Sequence, residues 1–308
     1  MSRSQFYHIL GIVDADVFNE LFIKWMQSII GTSLSDNTVA IDGKTICGTD
    51  KLTKDGSILH IVSAYASELK LTIGSKHCTS KPLERTAFRE LLTTLNLSDT
   101  IVVADALHCT KPTLQAILDA GADYLIAVKD NAPSLKQGIK ACIDANPTQP
   151  AVTKEKNGGR IELRQAYSAT DLTLLNCNKQ WKGIKTIGVI HREFTKDKKT
   201  TNHQHYYISS RYLTAKELLH HVRMEWAVES MHWLLDVHFG EDKTRIFDMN
   251  VQNTLNTARK IALNLTQIYK ANNCKASASI SGIMRSNLFD VDVLEGFVGC
   301  VGGFLKTE

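Results

Sequence analysis

Two apolar runs, TIVVADA at 100–106 and DYLIAVK at 123–129, flank a helix-patterned stretch, KPTLQAILDAG, that ends at Gly121. A strand that is apolar at nearly every position is covered on both faces, so these runs call for a sheet with helices packed on it. Upstream, TVAIDGK, LHIVSAYASE and KLTIGSKHC are short β-rich runs separated by polar or turn residues. The second and third are joined only by Glu68-Leu69-Lys70, which reads as an antiparallel hairpin, so the first three strands form a meander. Between meander and runs, PLERTAFRELLTTL (82–95) reads as a helix with Pro82 in its first turn. The order predicts an α/β fold, a mixed sheet flanked by helices.

The flanking regions read differently. Residues 14–30 follow a possible Asp14 or Asp16 cap, and Val17, Leu21, Trp25 and Ile29 predict the buried face of an amphipathic helix. All five prolines (82, 112, 133, 147, 150) lie in or before ANPTQP, which reads as a linker. From 151 to 210 the chain is β-rich, with KDKKTTN as an exposed turn and Asn157-Gly158-Gly159 as a turn between strands. Long helices are expected at 214–238 and 250–270. The expected parts are the remnant of an N-terminal helical region, reduced to its last helix (1–35), a first part of the core (36–145), a β-rich insertion (146–212), a second part of the core with the Glu-bearing helix (213–272) and a tail (273–308).

Composition narrows the class of protein. With 43% hydrophobic and 22% charged residues among 308, the chain is no disordered or low-complexity polymer. A formal charge of +4 permits nucleic-acid binding without arguing for it. No apolar run approaches the roughly 20 residues of a membrane-spanning helix, and the start lacks a signal-peptide layout. Seven scattered cysteines, with no Cys-x-x-Cys pair, fit reduced thiols in a cytoplasmic protein. The pairs His77-Cys78, His108-Cys109, His203-x-His205 and His220-His221 lack structural-zinc spacing.

Carboxylates are the more telling groups. Asp42 ends the run VAID and Asp105 ends IVVAD, and the carboxyl end of a strand is where α/β sheets place ligands. Taken alone, each is more simply an ordinary turn residue. On the 214–238 helix, Leu219, Val222, Trp226, Trp233 and Val237 predict an apolar stripe with Glu229 inside it, bordered by Glu225, His232 and Asp236. A carboxylate among tryptophans is costly unless paired, protonated or coordinating a cation; a salt-bridged border Glu is the plainer alternative. Three such carboxylates make a hard-oxygen site suited to Mg²⁺ or Mn²⁺, so a metal-dependent phosphotransferase or nuclease is one candidate.

With these residues in view, the chain resembles the DDE transposases of insertion sequences, specifically the H-repeat-associated (ISAs-type) family. The resemblance runs from about 10 to 270 through AIDGKT, HIVSAYA, IVVADALHCTK, GADYLIAVKDN, HYYISS and WAVESMHWLLDVHFGED. It implies an RNase H-like fold with a β-rich insertion before the Glu-bearing helix, and a catalytic triad of Asp42, Asp105 and Glu229. It further implies two Mg²⁺ (or Mn²⁺) ions held by that triad, cleavage at transposon ends, and transfer of the freed 3′-hydroxyl to target DNA. The implied partners are terminal repeats, target DNA and a second copy in a homodimer. Lys44, Lys129 and Arg223 lie near these motifs and are candidate phosphate contacts. Two departures stand out: family members usually carry more helical chain before Ser2, and Glu225 replaces a usually basic residue, placing like charge one turn from Glu229. These departures support a second reading, an inactive remnant that binds DNA or a full-length relative. A third is a nuclease that cuts without joining.

Overall fold

A computed structural model describes residues 2–31, 34–49, 59–146, 148–157, 159–175, 180–197 and 199–289. Gly158 of the expected turn, Lys198 of the KDKK run and the tail from 290 lie outside the described residues. In chain order the elements are α1 (Arg3–Ile12), α2 (Ala15–Ile30), β1 (Thr38–Thr45), β2 (His60–Ala66), β3 (Leu71–Cys78), α3 (Glu84–Thr94), β4 (Ile101–Ala104), α4 (Lys111–Asp119), β5 (Asp123–Val128) and α5 (Pro133–Ala145). There follow β6 (Ala151–Asn157), β7 (Arg160–Ala169), β8 (Thr186–Lys196), β9 (Lys199–Ser209), α6 (Ala215–Phe239), α7 (Met249–Asn273) and α8 (Ile280–Phe289). The predicted mixed sheet and its flanking helices are present, and the chain divides into two compact units. Among the described residues, no helix is long and apolar enough to cross a membrane.

One unit comprises Thr38–Ala40 and Leu97–Trp226. The start of β1 pairs in parallel with β4, Thr38 opposite Ile101 and Ala40 opposite Val103, and β4 pairs in parallel with β5. The β-rich insertion extends this sheet: β9 runs antiparallel to β5, with Leu125 opposite Ser209, and β8, β7 and β6 follow in antiparallel order. The β8–β9 turn uses Asp197 at φ 50°, a left-handed conformation that Asp tolerates better than most residues. Ile101, Val103 and Leu125 from the parallel strands share one core cluster with Ile190 and Tyr207 of the insertion and with Leu218, Leu219 and Val222 of α6. All four residues of β4 are buried, so both faces of the strand are covered, as its unbroken apolar run requires.

The other unit comprises Met1–Asn37, Ile41–Asn96 and Ala227–Glu308. Here β2 and β3 form the expected hairpin, His60 opposite Cys78 and Ala66 opposite Leu71, turning through Lys70 at φ 59°. The helix at 15–30 is present but buries a different face. Asn19, Phe22, Ile23, Met26, Ile29 and Ile30 are inside, whereas Val17 and Leu21 are exposed. So many apolar residues crowd VFNELFIKWMQSII that two helical stripes are possible. The observed one brings Asn19 inside, where its amide donates to the Ser75 carbonyl at 2.8 Å. That bond offsets the cost of burying the side chain.

Three helices were not anticipated. The first, α1, begins at a capping box in which Ser2 accepts from Gln5 N–H and Gln5 accepts from Ser2 N–H. The second, α5, has Pro133 in its first turn, and the third is α8. Asn250 ties the corner between α1 and α2 to α7, accepting from Ala15 N–H at 3.0 Å and donating to the Val13 carbonyl at 2.7 Å. Farther along α7, Asn264 accepts from Thr72 N–H at 2.9 Å and donates to the Thr72 carbonyl at 2.8 Å, a side chain pairing with β3 as a strand would.

Candidate active site

Buried Thr38 to Ile41 give way on β1 to a half-buried second half that begins at Asp42, whose side chain is 40% exposed. The glycine after it is dictated by what lies beside the strand. A Cβ on Gly43 would stand 2.5 Å from Glu84 Cδ and 2.7 Å from His60 Nε2, atoms of a buried His60–Glu84 pair joined at 2.8 Å. Thr45 Oγ1 completes the brace, 2.9 Å from His60 Nδ1. Lys44 points into a nest of carboxylates: Asp236 in close contact, Glu241 at 2.9 Å and Asp242 at 3.5 Å. Burial works against its charge, but Glu241 and Asp236 outweigh burial and leave its pKa above the ordinary lysine value. Lys44 was a candidate phosphate contact; its ammonium is instead occupied in tying β1 to the end of α6 and the turn beyond.

Asp105 follows the last residue of β4 with extended backbone, φ −70° and ψ 174°, and its Oδ1 accepts from Leu107 N–H at 2.9 Å. It therefore caps the short turn Ala106–His108, a structural duty that leaves the side chain half-buried. Asn131 steadies the same turn by donating to the Ala106 carbonyl at 2.7 Å.

Glu229 is exposed on α6, and the expected stripe is corrected with it: Trp226, Trp233 and Val237 are each about half exposed or more. The buried face is Leu218, Leu219, Val222, Val228, Met231 and Leu235. This helix is apolar on several sides, so spacing alone allows more than one stripe. The burial cost that singled out Glu229 does not arise, and its carboxylate is open to solvent. Trp233 packs edge-on against His238 at 5.6 Å, and Trp226 lies under the Arg192 guanidinium at 5.3 Å.

The border of α6 that carries Glu229 also carries the groups that meet β1. His232, one turn beyond Glu229, brings its Nδ1 to 3.7 Å from Asp42 Oδ2, and Asp236, one turn further, bonds Lys44. Burial, with Lys44 and Lys260 nearby, pushes the His232 pKa down to about 3, so the ring is neutral. Lys129 is exposed just past β5. Arg223 is engaged by Glu155 at 2.5 Å with about a third of its side chain exposed.

Sequence reading missed Lys260. It lies on α7 in a buried polar ladder, Gln252, Asn256, Lys260 and Asn264, spaced four apart and each at most 2% exposed. Burial pushes its pKa down to about 7 against the pull of Glu241, and its Nζ has no hydrogen-bond partner. Asn256 donates to Glu241 at 2.5 Å, which joins the ladder to the carboxylates around Lys44. Four-residue polar spacing was the available signal, but on a long helix it reads as a solvated face.

The chemistry of Asp42, Asp105 and Glu229 fits a hard divalent cation. All three offer carboxylate oxygens, and none is fully buried. Comparison with known proteins identifies the family. Residues 34–265 match the family described as Transposase DDE domain. The chain is 35% identical over 270 residues to a putative transposase, YncI, of Escherichia coli O157:H7, covering 83% of this chain and 68% of that one. It is 32% identical over 279 residues to the H repeat-associated putative transposase YhhI of Escherichia coli strain K12, covering 85% and 73%. A solved structure titled as a piggyBac transposase synaptic complex with hairpin DNA is 12% identical at TM-score 0.45, covering 89% of this chain and 55% of that one. The chain belongs to the DDE-domain transposase family of insertion sequences.

Proposed function

We propose that this protein is a metal-dependent DNA transposase in which Asp42, Asp105 and Glu229 form the catalytic triad, cutting transposon ends and joining them to target DNA. What supports the reading is the membership of this chain in the DDE transposase family, together with the place of each carboxylate on its own element. Asp42 and Asp105 each lie two residues beyond Ala40 and Val103, which are opposite one another in parallel register. Glu229 is one turn before the residue of α6 that faces Asp42.

The three carboxylates would hold two Mg²⁺ or Mn²⁺ ions, which supply Lewis-acid stabilisation of the phosphoryl oxygens and a more acidic attacking water. Gly43 lets β1 lie close against the His60–Glu84 pair, and Lys44 fixes the strand to α6, so Asp42 has little backbone freedom. The Asp105 cap does the same for its own turn. Such fixed acceptors favour in-line displacement because they need little reorganisation. In the first displacement, water forms the new P–O bond and the bond to the 3′ oxygen breaks, leaving a 3′-hydroxyl and a 5′-phosphate. In the second, that hydroxyl attacks a target phosphate and expels a target 3′ oxygen. Lys129, exposed beyond β5, and the partly exposed Arg223 are the proposed backbone contacts, and a homodimer the proposed assembly on two ends.

The test is cleavage of a DNA fragment carrying the element's own terminal sequence. Cleavage leaving a 3′-hydroxyl is expected with Mg²⁺ or Mn²⁺ and is lost in EDTA. Equal cleavage in EDTA would refute the reading, and cut ends that never join target DNA would reduce it to a nuclease.

A further inference from the structure

Behind Asp42 lies a second layer of buried polar groups that the reaction outlined above does not use. The His232 ring is 12% exposed, with Nδ1 turned toward Asp42 Oδ2 at 3.7 Å and Nε2 buried without a hydrogen-bond partner. Lys260 Nζ is likewise buried and unpartnered. Both belong with Asp42 to the same compact unit.

We propose that His232 is a positioning residue for Asp42, holding the Oδ2 edge of the carboxylate through an Nδ1–H. The inference rests on Asp42 being a metal-holding carboxylate. Two observations select that tautomer. With the proton on Nδ1, the ring offers a donor to the carboxylate 3.7 Å away and leaves the buried Nε2 as an acceptor, with Lys44 and Lys260 among the charges near it. With the proton on Nε2, an unpaired N–H is buried near two ammonium groups and a lone pair faces a carboxylate oxygen; both contacts are unfavourable.

The rest of β1 explains why a positioning group has work to do there. The backbone around Asp42 is fixed on one side by the close approach of Gly43 to His60 and Glu84, and on the other by Lys44 in its carboxylate nest. The side-chain torsions of Asp42 are set by the groups that face its carboxylate, of which His232 is one. His232 faces them from α6, and the 3.7 Å gap closes to hydrogen-bond length with a small change of those torsions. Orienting groups of this kind typically affect metal affinity about 10- to 100-fold when removed.

The experiment has a metal-free arm and a metal-binding arm. In the metal-free wild-type protein, ¹⁵N-histidine NMR should show His232 in the Nδ1–H tautomer; the Nε2–H form would overturn the proposal. Mn²⁺ affinity is then measured by electron paramagnetic resonance on wild type, His232→Asn, His232→Gln, His232→Leu and Asp42→Asn. Asparagine carries an N–H close to the position of Nδ1 and should keep affinity within about 3-fold of wild type, while Gln and Leu weaken it by about 10-fold or more. Equal affinity in His232→Leu and wild type overturns the proposal. If Asp42→Asn still weakens Mn²⁺ binding in that case, the triad stands and only the role of His232 falls. If Asp42→Asn also binds Mn²⁺ as wild type does, the triad itself falls. Should His232→Leu fail to fold, the tautomer and the contrast between Asn and Gln still decide.

Discussion

Asp105→Asn and Glu229→Gln each reduce metal-dependent end cleavage by roughly 1,000-fold or more, a barrier increase of about 4 kcal/mol, with the protein still folded. The fold survives for different reasons at the two positions. Asparagine at 105 keeps an acceptor for Leu107 N–H, so the turn after β4 stays capped. Glu229 is exposed, and a neutral isostere there changes stability by about 0.5 kcal/mol at most. Because groups that act as one unit are not additive, the double variant is little worse than either single one. Rates from gel-based cleavage and unfolding midpoints from circular dichroism check both halves. Wild-type cleavage by either variant contradicts the triad; collapse of the fold contradicts the structural account of that residue.

Lys260→Met stabilises the protein, and the gain shrinks as pH rises. In the folded state Lys260 titrates near 7, against 10.5 for an ordinary lysine. Between those values the unfolded chain binds more protons, so this group makes stability rise with pH across the window. Below about pH 7 the folded protein carries the full cost of a buried, unpartnered ammonium, up to about 5 kcal/mol at 1.36 kcal/mol per pH unit. Methionine fills comparable space without charge, and Glu241 keeps Lys44 and Asn256 as partners. Urea unfolding at pH 6 and pH 9 should show the variant's advantage smaller at pH 9 by about 2 to 3 kcal/mol. An advantage independent of pH, or a destabilised variant at pH 6, contradicts the burial of a cation at this position.

The core strands were legible because their runs are apolar without interruption. In TIVVADA and DYLIAVK, burial on both faces leaves little choice of partner or period. The β2–β3 hairpin was legible from its short connection; Asp105 lies just past β4 as its run suggests, whereas β1 continues through Asp42 to Thr45. Helix faces were not. In α2 and α6 apolar residues occur on several sides, so spacing alone does not choose the buried stripe; in α2 the face taken is the one whose Asn19 donates to Ser75. Glu229 was thus picked out for a burial it does not have, and its proposed role rests on the resemblance of WAVES to the family's motif. His232 and Lys260 escaped for a related reason. A histidine on a helix border and polar residues four apart look solvated until another element covers them.

The triad is tested most directly by asking whether its three segments surround one cation. Fe²⁺ occupies oxygen-lined Mg²⁺ sites, and with ascorbate and peroxide it cuts the nearby polypeptide backbone. Metal-protected cleavage mapped by mass spectrometry should give cuts clustered around Asp42, Asp105 and Glu229, all suppressed together by excess Mg²⁺. Cuts at one of these segments alone, or at none of them, would contradict the account.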